Sequence, residues 1–347
     1  MAYTTINKST DYFNTKLYTG TGSSHAVSGI GFQPDWVWFK GRNQAYHHYL
    51  FDAVRGVNKP IHSALTNAES TQTDTLMSFD SDGFTLGSDT NNGEINSSGN
   101  TFVSWNWKAN GTGSSNTDGT ITSTVSVNTT AGFSIVKYVG NTVAGATVGH
   151  GLGAVPSVIM IKQTTGSTNW TVYHKGLGSH AKYLYLDASN AETTDSGNFD
   201  NVPTSSAFLL GSNSGVNAAS GSTYIAYCFA EKAGYSKFGS YTGNGSTDGP
   251  FCYTGFRPDF LIVKRIDTAN DWNMQDTKRS LNGEDKILQA NNNDNEKVDQ
   301  GYSIDKLSNG FKCRASGTET NADGGTYIYM AFGQSIVGSN NVPATAR

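Results

Sequence analysis

The sequence has little of several residue types that mark other classes of protein. Its three cysteines, Cys228, Cys252 and Cys313, have no metal-ligand spacing, so we expect neither a disulfide framework nor a bound metal. Charged residues make up only 15% of the chain, the formal net charge is −4, and basic residues form no stripe, which argues against nucleic acid as a partner. No apolar run approaches the roughly 20 residues that span a bilayer, so insertion into a membrane is not expected.

Proline is also scarce and glycine is abundant, and the apolar residues show no helical periodicity. The chain of 347 residues has 7 prolines and 40 glycines, and Ser, Thr and Asn crowd the segments between short apolar runs. No window shows a convincing 3.6-residue apolar period of helical length. Many short strands joined by polar turns are typical of an all-β sandwich or barrel.

What the sequence does contain is a threefold internal repeat. One template, a proline followed by an apolar run and a lysine, occurs at 34–40, 156–162 and 258–264. A second template, with alternating apolar residues, occurs at 101–107, 223–229 and 326–332. The two templates start 67, 67 and 68 residues apart, a constancy that random apolar runs would not keep. We call Lys40, Lys162 and Lys264, which end the first template, the template lysines.

Alternation within the templates predicts which side chains are buried. Successive side chains of a strand point to opposite faces, so one face of the second template should line a core. These positions are Val103, Trp105 and Trp107 in repeat 1, Ile225, Tyr227 and Phe229 in repeat 2, and Ile328, Met330 and Phe332 in repeat 3. The first template is apolar at nearly every position, which predicts a central strand covered on both faces.

Further columns recur in every repeat. A Tyr-x-Gly opens each one, at 18–20, 138–140 and 241–243. His48, Trp170 and Trp272 each lie eight residues beyond a template lysine. Gly83 and Gly310 precede the column of Phe84, Phe208 and Phe311 in two repeats, where glycine suits a tight turn.

The repeat predicts three tandem antiparallel β-sandwich domains of jelly-roll or lectin type, each with an independent core. We place an N-terminal arm at 1–12, repeat 1 at 13–111, a flexible linker at 112–120, repeat 2 at 121–234, and repeat 3 with a short C-terminal tail at 235–347.

Catalytic constellations are not recognisable in the sequence. It has no phosphate-binding loop, zinc-binding helix or nucleophile elbow. A polysaccharide-cleaving sandwich needs two carboxylates about 5–10 Å apart, and the acids here fall in polar loops without a paired pattern. The oxygen-rich loops 80–83 and 291–296 lack the full spacing of a calcium loop. We therefore predict a non-enzymatic protein with no catalytic residue, cofactor or metal.

One segment departs from the repeat pattern. Repeat 1 has Tyr46, His47, His48 and Tyr49 where the other repeats have one tryptophan. Four ring side chains near a loop would form a stacking and hydrogen-bonding surface, and this quartet is the candidate ligand-binding site. The alternative is that His48 fills the tryptophan position and its neighbours pack at a domain edge.

The chain resembles a large family of proteins from tailed phages, abundant in marine ones. The resemblance covers essentially the whole chain and includes runs such as Gly31-Phe32-Gln33-Pro34-Asp35-Trp36-Val37-Trp38 and Gly255-Phe256-Arg257-Pro258. Other matching stretches are 2–7, 12–15, 51–56, 79–84, 150–153, 183–186, 325–332 and 338–344. That family is similar to concanavalin-A-like lectin sandwiches and is usually taken to be virion surface or tail-fibre material. It brings no catalytic residues.

The resemblance implies a virion protein assembled in the host cytoplasm and exposed on the particle exterior. The first expectation is a tail-fibre or knob adhesin that binds a host-surface glycan or protein through loops of its sandwiches. The alternative is a purely structural subunit that decorates the capsid or bridges tail parts. A polysaccharide depolymerase is the third possibility, placed last because paired acids are missing. Other virion proteins are the expected partners, and a homotrimer is expected by analogy and symmetry.

Overall fold

The computed structural model describes residues 4–90, 93–218, 221–280, 282 and 284–337. Within these ranges the chain is almost entirely β, and every strand pair in its sheets is antiparallel. The fold-class prediction is confirmed. One α-helical turn, α1 (Ser214–Asn217), and three 3-10 turns, Ser9–Asp11, Lys175–Leu177 and Gln300–Tyr302, interrupt the strands.

Repeat 1 contributes two sheets. Its strands are β1 (Phe13–Thr19), β2 (His25–Ser28), β3 (Trp36–Gly41), β4 (Tyr49–Asp52), β5 (Leu76–Asp80), β6 (Gly83–Leu86) and β7 (Thr101–Trp107). An inner sheet has the order β1-β7-β3-β4, and an outer sheet has the order β2-β6-β5. Gly83 begins β6 directly after a two-residue turn, as predicted.

Repeat 2 follows the same plan with a wider inner sheet. Its strands are β8 (Ser114–Asn116), β9 (Ser123–Asn128), β10 (Phe133–Val139), β11 (Ala146–Gly149), β12 (Val158–Gln163), β13 (Thr171–His174), β14 (Lys182–Tyr185), β15 (Thr193–Thr194), β16 (Ala207–Leu210) and β17 (Thr223–Phe229). The inner order is β15-β14-β13-β12-β17-β10-β9-β8, and β11 pairs with β16 outside it. Within the segment 112–120 predicted as a linker, β8 pairs with β9.

Repeat 3 closes the chain. Its strands are β18 (Ser236–Thr242), β19 (Phe251–Tyr253), β20 (Arg257–Arg265), β21 (Trp272–Asp276), β22 (Lys286–Gln289), β23 (Lys297–Val298), β24 (Ile304–Leu307), β25 (Gly310–Cys313) and β26 (Thr326–Gln334). The inner order is β18-β26-β20-β21-β22-β23, and the outer order is β19-β25-β24. The two template strands are adjacent and central in every repeat, so the prediction for the first template is confirmed.

The two faces of each template strand enter different cores. In β3, Trp36 and Trp38 face a large central cluster, whereas Val37 and Phe39 face a smaller cluster beneath the outer sheet of repeat 1. Strands β12 and β20 divide their side chains in the same way between the central cluster and an outer cluster of their own repeat. The predicted second-template positions all lie in the central cluster, which confirms their face.

The prediction of three independent cores is wrong. The central cluster contains residues of all three repeats and all six tryptophans. Around Phe332 of repeat 3, the rings of Phe13 and Trp107 of repeat 1 lie 5.5 and 5.8 Å away, and the ring of Phe229 of repeat 2 lies 5.6 Å away. The three repeats therefore share the central cluster, and each repeat also has one smaller core of its own. They are not the independent units that the sequence predicted. The domain boundaries stay a prediction.

The Tyr-x-Gly column ties the start of each repeat to a loop near its end. The hydroxyls of Tyr18, Tyr138 and Tyr241 donate to the carbonyls of Ile95, Val216 and Thr320, with O···O distances of 2.6–2.7 Å. A Cβ on the column glycine would lie 2.2–2.6 Å from a carbonyl oxygen of that loop, so only glycine allows the approach. The residue after each accepting carbonyl is a buried asparagine, Asn96, Asn217 or Asn321.

Candidate functional site

The template lysine of each repeat forms a hydrogen bond to a neighbouring repeat. We call such an inter-repeat hydrogen bond a clasp. Lys40, Lys162 and Lys264 are fully buried, and their ammonium groups donate to carbonyls of another repeat. Lys40 Nζ lies 3.2 Å from the Asn293 carbonyl oxygen, Lys162 Nζ lies 2.8 Å from that of Thr66, and Lys264 Nζ lies 3.1 Å from that of Ser189. Repeat 1 therefore holds repeat 3, repeat 2 holds repeat 1, and repeat 3 holds repeat 2, which closes a ring within one chain.

The tryptophan column makes a second set of clasps in the same cyclic order. His48 Nε2 lies 2.9 Å from the Gln289 carbonyl oxygen, and the indole nitrogens of Trp170 and Trp272 donate to the carbonyls of His62 and Tyr185 at 2.8 and 2.9 Å. A third set is made by backbone. The amides of Glu69, Glu192 and Glu296 donate to the carbonyls of Thr164, Ile266 and Arg42.

These clasps define three equivalent junctions between repeats. Each junction joins the loop that follows a template lysine to a strap of another repeat. Junction 1 is formed by loop 42–48 and strap 290–298, junction 2 by loop 164–170 and strap 60–72, and junction 3 by loop 266–272 and strap 186–195. Because each loop is pinned at both ends by an inter-repeat hydrogen bond, its side chains are held on a rigid base.

The predicted quartet lies at junction 1, but only half of it is reachable. His48 and Tyr49 are buried, with 0% and 2% of their surface exposed, and cannot contact a ligand. His48 Nδ1 accepts a hydrogen bond from Trp38 Nε1 at 2.7 Å, so its proton is on Nε2, where it is donated to Gln289. Burial lowers the pKa of His48 well below its ordinary value. The structure places His48 as the alternative interpretation expected, at a tryptophan position of the framework.

Tyr46 and His47 are half-buried and form the accessible part of the quartet. The Tyr46 ring stacks on Phe102 with an interplanar angle of 9°, and its hydroxyl lies 3.2 Å from Ser97 Oγ. The backbone amide of His47 donates to Glu94 Oε2 at 3.1 Å. The buried Nδ1 of His47 has no hydrogen-bond partner among the described residues. This atom is itself inaccessible to solvent, so a ligand at the quartet would meet the exposed parts of Tyr46 and His47 rather than Nδ1.

Two residues that the sequence did not single out lie beside the quartet, namely His62 of the junction 2 strap and Glu94. The His62 ring packs on Tyr49 with centroids 4.4 Å apart, and burial lowers the pKa of His62 to about 4. Burial also raises the pKa of Glu94, against the opposing effect of His47. The ammonium of Lys40 lies within electrostatic reach of Glu94, and burial lowers the pKa of Lys40 to about 7. Burial thus favours the neutral forms of His62, Glu94 and Lys40, whereas Arg42 and Glu296 of the same junction form an ion pair with a distance of 2.8 Å.

Junction 3 holds a groove with a volume of about 590 Å³. Its lining is almost wholly polar and comprises Ser189, Arg265, Thr268, Ala269, Asn270, Asp271, Thr318 and Glu319. Several of these groups are fixed in place. The Asn270 amide donates to the Ser189 carbonyl at 2.7 Å, Asn270 Nδ2 donates to the Thr318 carbonyl at 3.0 Å, and Arg265 forms a two-pronged ion pair with Asp267.

Two carboxyl groups from distant parts of the chain share this groove. Burial, and secondly the charge of Asp271, raise the pKa of Glu319. Glu319 Oε2 is buried without a hydrogen-bond partner among the described residues, whereas Asp271 Oδ1 accepts from Asn291 Nδ2 at 2.6 Å. The sequence search looked for paired acids within a strand and missed this pair. Alignment of the repeats would have drawn attention to Glu319, because Glu94 and Glu319 each lie two residues before the buried asparagine that recurs in every repeat.

Junction 2 is smaller. A groove of about 280 Å³ is lined there by Arg55, Lys59, Glu69, Lys137, Thr164, Thr165 and Thr223. Arg55 is committed to Asp52, Glu69 and backbone carbonyls, which leaves fewer free polar groups than in junction 3. The three junctions thus share one framework but differ in their surface chemistry.

The carboxylates of the oxygen-rich loops 80–83 and 291–296 are engaged by protein groups, as when Glu296 pairs with Arg42. Asp82 accepts from the amides of Gly29 and Gly31, and Asp80 accepts from the hydroxyls of Ser78 and Thr85. Over the part of the chain that the structure describes, no group of three or more His, Cys, Asp or Glu side chains is placed to hold a metal ion. No helix of the described residues is long and apolar enough to cross a membrane.

Comparison with protein families gives one match, to the Domain of unknown function (DUF7483), over residues 8–335. The chain belongs to this family. The match spans all three repeats rather than one. Neither the curated proteins nor the solved structures gave a match. For this member of the family, a functional assignment therefore rests on the geometry of its own surfaces.

Proposed function

We propose that this chain is a virion surface protein of tailed phages that attaches to a host-surface glycan through the groove of junction 3. The single observation that carries the proposal is this groove, whose hydroxyl, amide, carboxyl and guanidinium groups match the mixed donors and acceptors of sugar hydroxyls. Junction 1 supports it less, because His48 and Tyr49 are buried.

Rigidity favours binding at this position. A groove whose walls are already ordered avoids the entropy cost of fixing side chains on binding, which is about 0.5–1.5 kcal/mol for each flexible one. In junction 3 the walls are held by the Lys264 clasp to the Ser189 carbonyl and by the hydrogen bonds of Asn270. The shared central core supports this framework from beneath.

The test is direct binding of the purified chain to polysaccharide extracted from the host surface, measured by calorimetry. Glu319→Gln preserves the shape of the side chain but removes a charged acceptor, and we expect about tenfold to hundredfold weaker binding, since a hydrogen bond to a charged group contributes about 1.5–3 kcal/mol. Glu94→Gln, at the equivalent position of junction 1, is the matched control and should leave affinity unchanged.

Other outcomes would point to the other functions considered. Binding to phage particles that lack this protein, without binding to host polysaccharide, would refute the adhesin and support a purely structural subunit. Release of new reducing ends from the polysaccharide would show a depolymerase that uses Asp271 and Glu319. The homotrimer remains a prediction, and sedimentation at micromolar concentration measures it.

A further inference from the structure

The outer sheet of repeat 3 exposes two aromatic rings side by side. Strand β19 alternates, with Cys252 buried at 7% exposure and Phe251 and Tyr253 exposed at 45% and 58%. Because side chains two residues apart in a strand share a face, both rings lie on the outer surface of the β19-β25-β24 sheet. We call this surface the aromatic face.

The framework does not require rings at these positions. Cys252 pairs with Phe311 as Val27 pairs with Phe84 and Val148 with Phe208, which fixes the equivalent residues in the other repeats. The equivalents of Phe251 are Ala26 and Thr147, and those of Tyr253 are Ser28 and Gly149. Repeats 1 and 2 form their outer sheets without rings there, so packing does not explain the two aromatics of repeat 3.

The strand beside β19 leaves room for the Phe251 ring. Tyr253 is paired with Gly310, which has no side chain, and Phe251 is paired with Lys312. A Cβ at Gly310 would lie 2.8 Å from Phe251 Cζ, so the Phe251 ring rests against the bare backbone of β25. The result is a flat surface of ring and backbone.

Charged groups border the rings. Lys312 Nζ lies 2.7 Å from Asp248 Oδ1, and Arg314 Nε lies 2.6 Å from Asp305 Oδ2. The Asp248 side chain is 82% exposed, so it keeps acceptor capacity for a bound molecule. A polar rim next to flat rings suits a ligand with one apolar face and many hydroxyls.

We propose that the aromatic face binds pyranose residues of a polysaccharide, with the sugar C–H face on the rings and the hydroxyls on the charged rim. Size distinguishes this ligand from a protein. Two aromatic side chains that are about half exposed offer roughly 200 Å² together, far below the roughly 800 Å² per partner of a stable protein interface. That area corresponds to one or two sugar rings. The inference rests on the proposed glycan-binding function, but it concerns a surface separate from the junction 3 groove.

Affinity electrophoresis of the full chain in gels containing dextran, laminarin, xylan or alginate tests the proposal. We expect at least one polysaccharide to retard the native chain and Phe251→Ala combined with Tyr253→Ala to weaken that binding about tenfold or more. Tyr253→Phe keeps the ring and should bind within about twofold of the native chain. Val298→Ala, at a residue that is 71% exposed on another strand, is the control for a general loss of apolar surface.

The groove variant separates this inference from the proposed function. If Glu319→Gln abolishes retardation while the double aromatic variant binds normally, the groove is the sugar site and the aromatic face is not. If the double variant loses binding and Glu319→Gln does not, the aromatic face stands alone. Absence of retardation by all four polysaccharides, or a change of oligomeric state in the double variant, would overturn the inference.

Discussion

His48 offers the sharpest test of how the repeats fit together. In repeat 1 the histidine accepts from the indole of Trp38 and donates to the Gln289 carbonyl of repeat 3. In repeat 2 the corresponding pair is Met160 and Trp170, in which the tryptophan makes the inter-repeat hydrogen bond and the methionine needs no partner. Histidine is therefore required in repeat 1 only because Trp38 carries an N–H group.

A double-mutant cycle measures this dependence. His48→Trp should keep a donor for the Gln289 carbonyl but leave the buried N–H of Trp38 unpaired, at a cost of about 1–3 kcal/mol. Trp38→Met leaves His48 Nδ1 unpaired at a similar cost and also removes ring contacts, such as that with Trp105 at 6.2 Å. The double variant has the Met and Trp pair of repeat 2. It contains neither the N–H of Trp38 nor the Nδ1 of His48, so neither of these buried groups is left unpaired. We expect the double variant to be about 2 kcal/mol more stable than the sum of the single effects predicts.

Urea unfolding followed by far-ultraviolet circular dichroism gives the four free energies of unfolding that the cycle needs, unaffected by the change in tryptophan content. Single effects that add to within about 0.5 kcal/mol would refute the reasoning. Tighter or weaker polysaccharide binding by His48→Trp would contradict the structural role assigned to His48.

Two further predictions concern buried charges. Stability should rise between pH 7 and about 9, because burial lowers the folded-state pKa of Lys40 to about 7 and those of Lys162, Lys264 and Lys306 to about 8, so the unfolded chain binds more protons in this range. Lys40 alone contributes about 2 kcal/mol, and Lys40→Met should reduce the rise by that amount while the other three lysines maintain the remainder. Arg55→Leu should cost about 3–5 kcal/mol, because it leaves the fully buried Asp52 carboxylate without its ion-pair partner, whereas Arg314→Leu, at an exposed pair, should cost under about 1 kcal/mol.

Urea midpoints measured at several pH values check the first of these, and midpoints of the two arginine variants at pH 7 check the second. Above about pH 9 the three buried cysteines lower stability as pH rises. Burial raises the pKa of their thiols in the folded chain, so the unfolded chain loses these protons at a lower pH than the folded chain does. Stability that is flat or falling from pH 7 to 9 would contradict the first prediction. Equal losses in the two arginine variants would contradict the second.

The strands and their buried faces were predictable from the sequence, because a period of two is local information. Alternation at Val103, Trp105 and Trp107 identified the correct face without knowledge of what covers it. The shared core was within reach of the same reasoning. A strand that is apolar on both faces, such as β3, cannot belong to an isolated two-layer sandwich whose inner sheet faces water on its other side, so something had to cover that face.

The junctions were less accessible to prediction. They are built from segments far apart in the chain, as when the Asn293 carbonyl meets Lys40, and no local pattern marks which strap crosses which loop. The column position of His48 did indicate burial, and the structure agrees. Glu94 and Glu319 went unnoticed because their environments are set by neighbouring repeats rather than by adjacent residues.

The most direct test of the single closed body is hydrogen exchange in Phe332→Ala. This ring contacts rings of all three repeats, and its removal should cost about 3–5 kcal/mol. The account predicts that amide exchange in β7 of repeat 1 and β17 of repeat 2 accelerates together with that in β26. Acceleration confined to the strands of repeat 3 would show three independent cores and contradict the account.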